Sequence, residues 1–229
     1  MMRLHIANKN YSSWSLRPWV LMRQLGIAFE EVLTPFDTGS SWASFRAFSP
    51  TGKVPCLENE ELAVWESLAI VEYLAEQHAG VWPQDAAARA WARSASAEMH
   101  AGFNALRDEC PMNCGVTLRL ASPSSALEAD LVRLDELWQE GISRFGGPFL
   151  AGSDFTAVDA FFAPVAFRAR SFDLELSNAS RRYVEQLLAL PAMRQWDADA
   201  VAEPWREPDH EEDLLASGTL LEDRRVGSS

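Results

Sequence analysis

Cysteine is scarce: Cys56, Cys110 and Cys114 are the only three in 229 residues. An odd number, with no CxxC pair and no Cys/His cluster, excludes a disulfide framework and the usual zinc spacings. Cys110-Pro111-Met112-Asn113-Cys114 has one residue too many between its thiols for a dithiol redox motif. All three cysteines therefore read as reduced, buried structural thiols. Histidine is equally sparse, and His5, His78, His100 and His210 are scattered, so no metal site is expected. Positive charge is short as well: 20 Lys and Arg face 33 Asp and Glu, a formal charge of -13. That balance argues against a nucleic-acid or anionic-membrane partner, since both need a basic surface, but leaves room for an anion held in a local pocket. There is no run of about 18 uncharged apolar residues to span a membrane and no basic, apolar leader at the N-terminus. A soluble, cytoplasmic protein is expected.

What the chain does have is apolar residues, 48% of the total, and enough length for one large domain or two modest ones. Its most informative stretch runs from Gly52 to Leu74. Cys56-Leu57 and Leu62 to Trp65 are short apolar runs separated by the polar tip Glu58-Asn59-Glu60-Glu61, the pattern of a small hairpin. Ser67 then opens a helix, with Leu68, Val71, Leu74 and Ala75 on one apolar face. Pro55 stands at the mouth of a strand, and a Val-Pro bond in a tight turn is a candidate for the cis isomer. Such a bond turns the Val54 N–H and C=O outward, where an extended peptide can pair with them. Ser67 with the first free N–H groups of its helix forms an anion site, and Glu66 sets a negative charge beside it. A peptide-like ligand carrying both an ammonium and a carboxylate fits this arrangement. The bland alternative is a hairpin edge followed by a capped helix.

Upstream, Leu4 to Ala7 is a strand candidate, and Tyr11-Ser12-Ser13-Trp14-Ser15-Leu16-Arg17-Pro18 opens a helix that ends near Gly26. A serine here caps the helix, donates from the positive helix end to an anion such as a thiolate, or does each at a different position. Ile27 to Leu33 gives a second strand, and so short a crossover implies parallel pairing with the first. Thr34 to Ser49 reads as an irregular loop with one short helix. After a Gly- and Pro-containing linker the chain is expected to be helical throughout: Asp85 to about Arg107, a capping box at Ser125 to Glu128, another at Thr156 to Asp159, and helices over Arg181–Leu190 and Ala192–Val201. His100, Asn104 and Arg107 form one polar stripe, facing solvent or lining a pocket. From Glu203 onward the acidic segment reads as a tail of uncertain order.

These motifs, Gly52-Lys53-Val54-Pro55, Glu66 to Leu74 and Phe155 to Ala160, make residues 3 to 202 resemble a soluble glutathione transferase. Ser12-Ser13-Trp14-Ser15-Leu16-Arg17 is similar to the Ser-Ser-Cys-Ser-Trp-Arg start of the zeta class, the maleylacetoacetate isomerases, with Trp14 where that class has its cysteine. The resemblance implies an α/β thioredoxin-like glutathione-binding domain (1–78), a linker (79–86), an all-α domain (87–202) and the acidic tail (203–229). It implies glutathione as co-substrate without a metal, Ser67 on the γ-glutamyl carboxylate, Glu66 on the ammonium, Val54 before cis Pro55 on the cysteinyl backbone, and Lys53 toward the glycyl carboxylate. Ser12 would donate to the sulfur, with Ser13 next and Tyr11 third. The implied activity is addition of a glutathione thiolate to a small electrophile in detoxification, by a cytoplasmic homodimer. A glutathione-dependent isomerase or peroxidase and a non-enzymatic binding protein are the alternatives. Trp14, His100, Phe103, Arg107 and Met112 are the expected lining of the acceptor pocket.

Overall fold

The structure is a computed structural model that describes residues 1–225 and 227; Val226, Ser228 and Ser229, the end of the expected tail, lie outside the described residues. Strand β1 (Arg3–Ile6) pairs in parallel with β2 (Glu30–Leu33) across helix α1 (Ser13–Gln24). The short helix α2 (Trp42–Phe45) follows, and then β3 (Cys56–Asn59) and β4 (Leu62–Trp65) complete an antiparallel hairpin beside β1, giving the order β2-β1-β3-β4. Alternation along β1 sends Leu4 and Ile6 into the apolar core and stacks His5 on Phe48 at 4.3 Å. Helix α3 (Ser67–Ala75) packs beside α1. This is the thioredoxin-like first domain, as expected.

Helices α4 (Ala86–Ala101), α5 (Asn104–Glu109), α6 (Ser125–Phe145), α7 (Ala157–Phe172), α8 (Asn178–Ala189) and α9 (Pro191–Ala202) build the second domain. Its axis is α7, a run of small and aromatic residues buried all round except at Arg170, which packs against α1, α4 and α8. The expected capping box opens it: Asp159 reaches back to the Thr156 N–H at 2.9 Å. The same carboxylate accepts the Leu150 N–H at 3.0 Å and the Tyr183 hydroxyl at 2.9 Å, joining the preceding loop to α8. Its complete burial nevertheless raises the Asp159 carboxyl to about 6.

Three expectations are corrected. The long helix from Asp85 ends at Ala101, because Gly102 is extended and Phe103 takes a left-handed φ of 55°, so Asn104 and Arg107 lie on a separate helix from His100. The cap of α6 is Ser124, whose hydroxyl accepts the Leu127 N–H at 3.1 Å, one residue ahead of the expected Ser125. The second domain is also not purely helical, since β5 (Val116–Leu120) pairs antiparallel with β6 (Gly218–Asp223). The expected loose tail is thus ordered as α10 (Pro208–Ala216) and β6, the strand register supplying backbone partners that composition does not reveal.

Asp159→Ala leaves the Leu150 and Thr156 N–H groups and the Tyr183 hydroxyl without their acceptor. The expected loss is about 3 kcal/mol of unfolding free energy, measured by chemical denaturation, with the Tyr183→Phe variant costing less.

Candidate active site

The turn from β1 into α1 is held from below. The Asn8 carbonyl accepts the N–H groups of Tyr11 and Ser12 at 3.2 and 2.9 Å. Ser12 is the N-cap residue, but its hydroxyl does not cap; it donates to Ser15 Oγ at 2.7 Å, which also accepts the Ala7 N–H at 3.3 Å. Ser13 is the first helical residue, and its half-buried hydroxyl has no partner among the described residues. Helix α1 has no acidic residue in its first turn, so its positive end is unneutralised. Tyr11 is buried; its hydroxyl donates to Glu211 at 2.6 Å, and burial, then Glu211, push the phenol well above its ordinary range.

Opposite this turn lies the hairpin mouth. The Val54–Pro55 bond is cis, and neither the N–H nor the C=O of Val54 has a backbone partner among the described residues. Glu66 precedes α3 with φ 69° and ψ 128°, a region that side-chain-bearing residues rarely occupy and that is typically retained at binding sites. Ser67 follows as the first helical residue, buried, with its hydroxyl accepting from Arg17 Nη1 at 3.5 Å. Arg17 itself is buried, its Nε has no partner, and burial together with Arg107 and Arg168 drives its pKa well below the usual value against the opposing pull of Glu66.

Two cavities meet at Trp14. The smaller, about 150 Å³, is lined by Trp14, Thr51, Lys53, Val54, Pro55 and Glu66. The larger, about 610 Å³, brings together Tyr11, Ser12, Ser13, Trp14, Lys53, Val54, Arg107 and Met112. Thus most of the expected site residues converge on adjoining spaces. Ser67, His100 and Phe103 line neither: Ser67 is buried beside Arg17, His100 sits edge-on behind Trp14 at 5.3 Å, and Phe103 is buried at the break between α4 and α5. Burial and Arg17 hold the His100 imidazole below its ordinary pKa, despite Glu66 at 3.9 Å. The Trp14 ring is sandwiched by the guanidinium groups of Arg17 at 4.1 Å and Arg107 at 4.6 Å, a double cation–π stack.

Several lining residues escaped sequence reasoning. Arg168 from α7 is buried, donates to the Cys110 carbonyl at 2.8 Å, and is lowered to about 10 by burial and by Arg107. Phe36 and Trp42 come from the loop read as irregular, and Glu207, Asp209, His210 and Leu214 come from α10, which closes the cavity. His210 stacks between Tyr11 at 4.9 Å and Phe36 at 4.8 Å. Pro208 at the start of α10, with the Glu207 side chain accepting the His210 N–H at 2.9 Å, was a readable helix-start signal. Just upstream, buried Glu203 accepts the Lys9 N–H at 2.6 Å and the Asn10 N–H at 3.2 Å.

A thioredoxin-like domain whose cis-proline mouth faces the start of α1, with helices of the second domain beside it, frames the two adjoining cavities. Residues 11–77 match the family model described as glutathione S-transferase, N-terminal domain. The chain is 27% identical over 206 residues to maleylacetoacetate isomerase from Rattus norvegicus, covering 86% of this chain and 91% of the relative. It is 27% identical over 203 residues to glutathione S-transferase GstB from Escherichia coli, covering 81% of this chain and 93% of that protein. A glutathione transferase homologue from Burkholderia, solved with bound glutathione, superposes with a TM-score of 0.65 at 25% identity, covering 88% of this chain and 99% of that one. Across these comparisons the chain resembles soluble glutathione S-transferases, with a zeta-like similarity to the maleylacetoacetate isomerases.

Burial raises the Glu203 carboxyl from 4.5 to about 7, the Lys9 and Asn10 N–H groups opposing the shift. The folded state therefore keeps a proton that the unfolded chain has already lost between those pH values, and stability falls as pH rises through this window. Glu203→Gln should flatten that decline, a change read from denaturation midpoints across pH; Asp159, raised in the same direction, supplies the slope that remains.

Proposed function

We propose that the protein binds glutathione across the smaller cavity, ionises its thiol at the start of α1 and adds the thiolate to a small electrophile in the larger cavity. The observation that carries this reading is the convergence of Lys53, the Val54 backbone, Glu66 and the free Ser13 hydroxyl around adjoining spaces, with Ser67 buried next to Glu66. Ser67, with the positive end of α3, suits the γ-glutamyl carboxylate, and Glu66 suits the ammonium. Val54 offers an unpaired N–H and C=O to the cysteinyl backbone, and Lys53, lining both cavities, suits the glycyl carboxylate. The bound glutathione of the Burkholderia homologue supports glutathione as co-substrate.

Ser13 ranks ahead of Ser12 as the donor to sulfur, the reverse of the order implied by the zeta-class resemblance, because the Ser12 proton is committed to Ser15. Tyr11 contributes a wall and not a donor, since its hydroxyl is bound to Glu211. A hydroxyl donor, the unneutralised end of α1 and the nearby Arg17 charge all favour the thiolate over the thiol, which lowers the thiol pKa and creates the nucleophile. Arg107 and Met112 belong to the acceptor wall; His100 and Phe103 support Trp14 and the α4–α5 break from behind.

Isomerisation is the second reading, favoured by the maleylacetoacetate isomerase relatives, and recovery of unchanged glutathione after turnover would distinguish it. Trp14 weighs against it by filling the place of the zeta cysteine. A cytoplasmic, detoxifying homodimer completes the proposal, with exposed Trp42, Leu62, Trp65 and Val132 offering apolar surface for a partner copy.

Ultraviolet titration of the bound thiolate tests the mechanism. Ser13→Ala should raise the bound thiol pKa by about one unit and cut turnover roughly tenfold or more, with Ser12→Ala having the smaller effect. An unshifted thiol in the unmodified protein would sink the mechanism; a larger effect at Ser12 would exchange the two roles.

A further inference from the structure

The segment after α9 does more than roof the cavity. Glu203 places both carboxylate oxygens on consecutive backbone donors, Lys9 at 2.6 Å and Asn10 at 3.2 Å, immediately ahead of Tyr11, Ser12 and Ser13. One hydrogen bond leaves a segment free to pivot, whereas bonds from two consecutive peptide units to one planar group fix its orientation. Other anchors of this turn act elsewhere: Asn10 Oδ1 accepts the Cys114 and Gly115 N–H groups at 3.0 and 3.2 Å, Trp196 Nε1 donates to the Lys9 carbonyl at 2.9 Å, and the Lys9 ammonium pairs with Glu31 and Asp199 at 2.7 Å. Glu203 is therefore the side chain that accepts the Lys9 and Asn10 backbone N–H groups of this turn.

Further along, Glu211 takes the Tyr11 hydroxyl and is itself gripped by both terminal nitrogens of Arg225, which Asp223 also binds. Arg225 can lie there because position 115 is glycine: a Cβ at Gly115 would stand 2.2 Å from Arg225 Cγ. The C-terminal segment thus reaches the turn twice, at its backbone through Glu203 and at its first side chain through Glu211. Neither Glu203 nor Arg225 lines either cavity, so their influence on a reacting group passes through the turn.

We propose that Glu203 is a positioning residue for thiol activation: by fixing the Lys9–Asn10 peptide it sets the direction of the Ser13 hydroxyl without touching either substrate. This inference rests on the thiol-activation reading above. It predicts a split in the kinetics. Loss of Glu203 leaves Lys53, Val54, Glu66 and Ser67 untouched, so glutathione affinity holds while the thiolate is lost.

The test is the same thiolate titration on the full chain, with steady-state kinetics, comparing the unmodified protein, Glu203→Ala and Glu203→Gln. The expected result for Glu203→Ala is a bound thiol pKa raised by about one unit and kcat reduced about tenfold, with the KM for glutathione within about twofold. Glu203→Gln keeps one acceptor oxygen but sets an amide N–H₂ against the other donor, so its pKa and kcat should fall between the two. Circular dichroism reports whether each variant folds; if the alanine variant does not, the glutamine variant decides. A folded variant with a lowered melting temperature but an unmoved thiol pKa makes Glu203 a structural residue only and overturns the inference. An unshifted thiol in the unmodified protein is a different failure, which removes the activation reading and the inference with it.

Discussion

The two domains are joined around one buried cation. Lys9 lies 2.7 Å from Glu31 on β2 and 2.7 Å from Asp199 on α9, with the rings of Trp19 and Trp196 at 5.0 and 5.6 Å. Removing an ammonium from water costs several kcal/mol unless it is paired and its hydrogen bonds are met. The partners come from different domains, so only one relative placement of α1, β2 and α9 meets that demand. The Trp19 indole adds to the constraint by donating to Glu31 at 2.6 Å. Because Lys9 belongs to the turn that leads to Ser12 and Ser13, the constraint that docks the domains also locates the site.

The electrostatics of the site run against the charge of the whole. In a chain of net charge -13, Arg17, Arg107 and Arg168 are drawn together beneath and beside Trp14. Burial penalises each of these cations, and each is tied to a carbonyl, hydroxyl or aromatic face, with Glu66 the carboxylate that opposes the shift at Arg17. Such a cluster is an electrostatic basin for an anion. The zeta-like motif keeps its serines and arginine, while Trp14 replaces a small thiol with a ring that stacks on both guanidinium groups. That ring also separates the two cavities.

Much of the first domain was legible because its signals are local. The hairpin tip at Glu58 to Glu61, the Ser67 helix start and the parallel crossover each follow from period, turn chemistry and chain length over a few residues. The same holds for the Thr156–Asp159 capping box. Signals spread over long separations were missed. β5 looked like part of a helical domain because its partner strand lies about a hundred residues away, and a strand paired at an edge needs only a register, not a distinctive composition. The break after Ala101 was missed because the residue in the left-handed conformation is Phe103, held there by burial in place of intrinsic preference.

By itself, then, the sequence located the hairpin and its mouth at Lys53, Val54 and Pro55, the Glu66–Ser67 helix start and the serines at the start of α1, since these depend on neighbours in the chain. Tertiary structure decided which hydroxyl is free. The resemblance ranks Ser12 ahead of Ser13, and the bond from Ser12 to Ser15 with the burial of Ser12 reverses that order. It also decided that the acidic segment is a wall of the site, because Glu203 and Glu211 read as solvated charges until Lys9, Asn10, Tyr11 and Arg225 are brought to them. The physical reason is the same in both cases: a buried polar group takes its role from the partner that satisfies it, whether that partner lies one helical turn away or across the fold.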